Sequence, residues 1–169
     1  MPFSYYSKLN KTQKAIYRAS DRAKVVSVPD RRPLQPYLMD LKVELVHGNP
    51  LAVTGAVRGL LNELVAQFEV PPVKVRVLAA RPHDDYGELH GMYERPLSGR
   101  AWPSIFLWMR TAKKQQVVAF KTFLRTVLHE FGHHLDYELL GLADSFHTEG
   151  FYQRENALFR QVMGYPASK

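Results

Sequence analysis

Cysteine is absent from the 169 residues. That excludes disulfides, thiolate metal ligands and cysteine nucleophiles. Long apolar runs are missing too: no stretch of about 18 apolar residues occurs, so no membrane span is expected. The opening MPFSYYSKLNKTQK has no apolar core and no small-residue cleavage site. No export signal is read there, and a cytoplasmic location is the expectation. Internal repeats and low-complexity tracts are also lacking. Acidic residues are missing from residues 95–129, which hold seven Lys/Arg and no Asp/Glu.

What is present suits a folded chain with a core. Hydrophobic residues make up 46% and charged residues 23%, which sets the sequence apart from a disordered tail. The net charge of +7 is unevenly spread: residues 1–46 carry nine basic residues against four acidic, and residues 130–169 carry three against six. Two basic segments beside an acidic C-terminal third read either as a solvated face that aids solubility or as a surface for nucleic acid. No arginine-rich run accompanies the charge. The second reading carries an expectation of weak, salt-sensitive nucleic-acid binding.

Hydrophobic periodicity orders the chain. Residues 7–24 read as a helix with Leu9, Ile16 and Tyr17 as apolar contacts. Two prolines, Pro29 and Pro33, interrupt it, and residues 38–47 form a further short helix. Helical spacing of Val53, Val57, Leu60, Leu61, Leu64, Val65 and Phe68 predicts a helix over 51–68, ended by Pro71-Pro72. The period then changes to two: Val73, Val75 and Val77 alternate with Lys74 and Arg76, the mark of a strand with one buried face. Strands are predicted over 88–94 and 104–110, with Trp102, Trp108 and Met109 as core or sheet cover and a plain turn at Asp84-Asp85. A long helix over 115–140 carries the stripe Val117, Phe120, Leu124, Leu128, Phe131, Leu135 and Leu139, with Gly141 as its stop. Thr148 is a candidate N-cap for a last helix over 148–163. Helices, three strands, a long helix and a final helix make an α+β domain.

The long helix contains His129-Glu130-Phe131-Gly132-His133, an H-E-x-x-H pattern. Imidazoles at i and i+4 leave one helical face together, so they can share one metal ion. At 100° per residue they lie nearly opposite the apolar stripe, leaving them facing a cleft. Thr122, Thr126 and Asp136 fall on the histidine side, and Asp136 is an acceptor able to orient an imidazole N–H. Four of the seven histidines lie between positions 129 and 147, which favours a metal site over scattered surface histidines. Gly132 costs helix stability, up to about 1 kcal/mol, but gives room for another segment to approach.

Residues His129 to His133, followed by Asp144-Ser145-Phe146-His147-Thr148-Glu149-Gly150-Phe151, resemble the SprT-like and WLM metallopeptidases of the zincin class. Those place a third histidine shortly after H-E-x-x-H, at the start of a following helix, in an H-G-x-x-F-like setting. This sequence departs by placing Thr148-Glu149 before the glycine. Gly91-x-Tyr93 and Ile105-x-Leu107 resemble the zincin edge strand and its neighbour. The likeness covers residues 50–163, so residues 47–169 are expected to be the zincin-like domain and residues 1–46 a basic, mainly helical extension.

The resemblance implies Zn2+ held by His129, His133 and a third ligand, with Glu130 activating a zinc-bound water to hydrolyse a protein or peptide substrate. His147 is preferred as third ligand because it precedes the last helix and fits the pattern. Glu149 and Glu155 are its rivals, and Glu155 is alternatively a partner that orients a ligand. Oxyanion or substrate contacts are sought among Tyr152, His90 and Gly91, with His134, Tyr137 and Arg154 as further candidates. Two other functions stay open: a DNA-associated protease recruited by the basic segments, and a non-catalytic zinc-stabilised binding module.

Overall fold

The computed structural model describes residues 2–81, 83–84, 87–88, 90–97, 99 and 101–166. Its helices are α1 (Lys11–Arg22), α2 (Gln35–His47), α3 (Pro50–Phe68), α4 (Phe120–Glu138) and α5 (Glu149–Met163). Its strands are β1 (Lys74–Ala80), β2 (His83–Asp84), β3 (Gly87–Glu88), β4 (Gly91–Glu94) and β5 (Ser104–Arg110). The α+β expectation holds.

Local chemistry sets the boundaries. Asn10 caps α1 in a reciprocal capping box with Gln13, so the helix starts at Lys11, and a short 3-10 turn over Ser4–Lys8 precedes it. Gly48 at φ 71° closes α2, and Pro50 opens α3 behind the Asn49 cap. Thr148 caps α5 as expected, its side chain accepting from the Phe151 amide. Helix α4 begins five residues later than its periodicity suggests. The chain first turns back on itself: Gln115 adopts φ 53°, Val117 bridges to Arg110, and the Val118 amide donates to the Met109 carbonyl. Val118 is thus buried, and Val117 partly buried, by pairing with β5 rather than by a helix.

The main sheet has the order β1-β5-β4, with β1 parallel and β4 antiparallel to β5. Val73, Val75 and Val77 are buried, as the period of two requires, beside Ile105 and Leu107 of β5. Helix α3 meets the outer edge of β1, where the Val77 amide donates to Thr54 Oγ1 at 3.2 Å. Helix α4 packs on β4 and β5, and α5 packs on α4 and α1. The core joins Leu34, Leu38, Leu41 and Leu45 to the α3 stripe, the sheet and Phe123, Leu124, Phe131 and Leu135 of α4. Residues from the first 46 therefore share one core with the rest.

Three expectations are corrected. The strand over 88–94 is divided: Gly87–Glu88 pairs with His83–Asp84 in a separate ribbon, and only Gly91–Glu94 joins the main sheet. Trp102 is 55% exposed rather than core, whereas Trp108 and Met109 are buried. Leu139 is exposed beyond the end of α4. Asp85, half of the expected Asp84-Asp85 turn, and Leu89, inside the expected strand, lie outside the described residues. Among the described residues, no helix is long and apolar enough to cross a membrane.

Candidate metal centre

Helix α4 carries His129 and His133 one turn apart with Glu130 between them, and the loop into α5 brings His147 to them. The Nε2 atom of His147 lies 3.1 Å from Nε2 of His129 and 3.1 Å from Nε2 of His133. The three residues each offer a ligand atom within 4.8 Å of the others. Ligands about 2.0–2.1 Å from a tetrahedral ion stand roughly 3.3–3.4 Å apart, so the triad fits one ion with little adjustment. The donor set also fits: three imidazoles suit zinc and its neighbours better than calcium or magnesium.

The remaining imidazole nitrogens decide which tautomer faces the centre. His129 donates from Nδ1 to Glu155 Oε2 at 2.8 Å. The Ser145 hydroxyl donates its one proton to Asp136 Oδ2 at 2.8 Å, so it accepts from His133 Nδ1 at 2.7 Å. Both arrangements leave the Nε2 lone pair free for a metal. Burial, with His129 and His147 alongside, pushes His133 down to about 3, and burial likewise lowers His147. Neutral imidazole is the form a metal requires.

Glu155 thus meets the Nδ1 of His129 and not the point where the three Nε2 atoms converge. Its other oxygen, Oε1, takes an ion pair from Arg125 at 3.3 Å. Asp136 does not reach an imidazole directly: it acts through Ser145, and it is fully buried against Arg154, 2.7 Å away. Arg154 also donates to the Ser20 and Ala23 carbonyls. That engagement removes Arg154 from the oxyanion candidates. His134 is removed for a similar reason. Its Nε2 donates to the Pro71 carbonyl at 2.8 Å, so its Nδ1 accepts from the Tyr93 hydroxyl at 3.1 Å, and the ring is wholly buried.

A cleft of about 680 Å³ runs past the triad. Edge strand β4 with His90 forms one wall, α4 the floor, and Tyr152 and Glu155 the opposite side. Tyr152, His90 and Tyr137 all line it. Tyr137 spends its hydroxyl on Asp144 at 3.3 Å, whereas Tyr152 is 44% exposed with its ring against those of His129 and His147. Thr122, Thr126 and Arg125 line the cleft as well.

Two glycines make the close packing feasible. A Cβ on Gly91 would stand 2.8 Å from Glu130 Oε1, so only glycine lets β4 come this near the carboxylate. A Cβ on Gly132 would press on the Phe151 ring at 3.3 Å, and that ring stacks on His133. The room expected at Gly132 is therefore taken by α5. Burial pushes the Glu130 carboxyl up to about 7, against the pull of His129 and of a hydrogen bond from the Tyr93 amide.

Ser145 lies two residues before His147. No local pattern marks it, because its function needs Asp136 from the preceding helix. Comparison with family models, with curated proteins and with solved structures finds no match to this chain.

Proposed function

We propose that this chain is a zinc-dependent peptidase acting on an extended stretch of polypeptide. The observation that carries the reading is the convergence of three imidazole Nε2 atoms beside a buried glutamate, on the floor of a cleft walled by an edge strand. A structural metal site needs no base next to it and no cleft above it. Zinc on His129, His133 and His147 would supply Lewis acidity, easing ionisation of water and polarising a carbonyl.

The chain's own residues do the rest. Among the described residues, strand β4 pairs with β5 on one side only, so its outer edge can hydrogen-bond an extended peptide by strand addition. Gly91 lets that peptide and Glu130 lie close together. Glu130, poised near neutrality, removes a proton from the attacking water as the new C–O bond forms. It then delivers that proton to the amide nitrogen as the C–N bond breaks, giving a carboxylate and an amine. Tyr152 and His90 line the cleft and are the proposed donors for the developing oxyanion.

The test is a peptide-library digestion read by mass spectrometry, with wild type and Glu130→Gln loaded with zinc alike. The reading requires cleavage by wild type, abolished by a chelator, and none by the variant. Equal cleavage by both would overturn it.

A further inference from the structure

His147 is the exposed member of the triad and stands on a loop, not on α4. An exposed imidazole on a loop must lose conformational freedom before it can bind metal, unless the loop is already fixed. Besides the Ser145 and Asp144 contacts with α4, this loop is held by contacts from the first 23 residues. The Tyr5 hydroxyl donates to the His147 carbonyl at 2.7 Å. Thr148 is fully buried, its hydroxyl 3.2 Å from Ser20 Oγ. The Gly150 amide donates to Asp21 Oδ1 at 2.9 Å, and a Cβ there would stand 2.6 Å from the Asp21 carbonyl oxygen.

Tyr5 is itself held in a cluster of rings. It stacks with Phe3 and meets Tyr17 edge-on, and Tyr17 contacts Phe146, the neighbour of His147. Tyr17 is 2% exposed and its hydroxyl accepts from the Phe3 amide at 3.0 Å. The strap before α1 is thereby tied down, and Tyr5 is aimed at the loop.

We propose that Tyr5 is a positioning residue of the metal centre, and that the N-terminal segment is a working part of that centre through its hold on the His147 loop. This rests on the metal-centre reading above. Tyr5 touches the main chain of the ligand residue and not the reacting atoms. Its contribution is to make the third imidazole ready before metal arrives, so its loss is felt in metal affinity. A residue that served folding alone would lower the stability of metal-free and metal-loaded protein equally and leave affinity unchanged.

The experiment is zinc affinity by chelator competition on the full chain, for wild type, Tyr5→Phe, Tyr5→Ala and Tyr6→Phe. Urea unfolding of each metal-free protein accompanies it. Tyr6 packs on the same Tyr17 ring but hydrogen-bonds Arg18, so it controls for general effects on the strap. Tyr5→Phe should bind zinc about five-fold more weakly, the worth of one hydrogen bond. Tyr5→Ala should bind more weakly still, and Tyr6→Phe like wild type. Unchanged affinity in Tyr5→Phe, with wild type binding zinc, overturns this inference alone. A wild type that takes up no zinc overturns the metal centre and this inference together.

Discussion

Replacing Asp136 by asparagine tests the buried network in two ways at once. The carboxylate accepts from Arg154 at 2.7 Å and from the Ser145 hydroxyl at 2.8 Å, with both Asp136 and Arg154 out of solvent. An arginine only donates, so the oxygen of the new amide must turn to Arg154 and its NH2 to Ser145. The Ser145 hydroxyl then accepts from that NH2 and has its own proton to give to His133 Nδ1. That reverses the His133 tautomer and puts the proton on Nε2, where the metal should bind. Removing one partner of a buried pair costs about 3–5 kcal/mol, and the retained hydrogen bond to Arg154 returns about 1 kcal/mol. The net loss is about 2–4 kcal/mol. With a urea slope of about 2 kcal/mol/M, the unfolding midpoint of metal-free protein should fall by about 1–2 M. Zinc affinity should fall about 10–100-fold. Unchanged zinc affinity in a variant that has lost stability would refute the proton ordering through Ser145. Unchanged stability would refute the weight given to the Asp136–Arg154 pair.

Other outcomes follow from single contacts. Gly91→Ala must push Glu130 aside, since the new Cβ would stand 2.8 Å from its carboxylate. A shift near 1 Å should lower kcat on a peptide substrate about 100-fold while zinc content stays at wild-type level. His147→Ala should lose zinc on dialysis, whereas Glu155→Gln should retain it with about tenfold weaker affinity. The reverse order, read by elemental analysis, would make Glu155 the ligand. Gly150→Ala meets main-chain atoms of Ser20 and Asp21 at 2.6–2.7 Å, so urea unfolding should show a loss of about 1–3 kcal/mol from overpacking.

Much of this arrangement was legible in the sequence because it rests on local periodicity. The 3.6-residue recurrence from Val53 to Phe68 and the alternation at Val73, Val75 and Val77 each report one buried face, and those elements fall where expected. The i, i+4 histidines and the cap at Thr148 are equally local. What was not legible depends on contacts between distant segments. Val117 fits a helical stripe as well as it fits a return along β5, and the pairing of Val117 and Val118 with Arg110 and Met109 decides between them. Arg154 is an oxyanion candidate by sequence, but Asp136 and the end of α1 close around it. The link from Tyr5 to His147 spans 142 residues, and no spacing rule reaches so far.

The most direct measurement of the central claim is X-ray absorption at the zinc edge on the zinc-loaded full chain. Three histidine nitrogens at about 2.0–2.1 Å and one exchangeable oxygen donor are predicted, with histidine scattering reduced in His147→Ala. A site closed by four protein donors, or one whose histidine count is unchanged in His147→Ala, would contradict it.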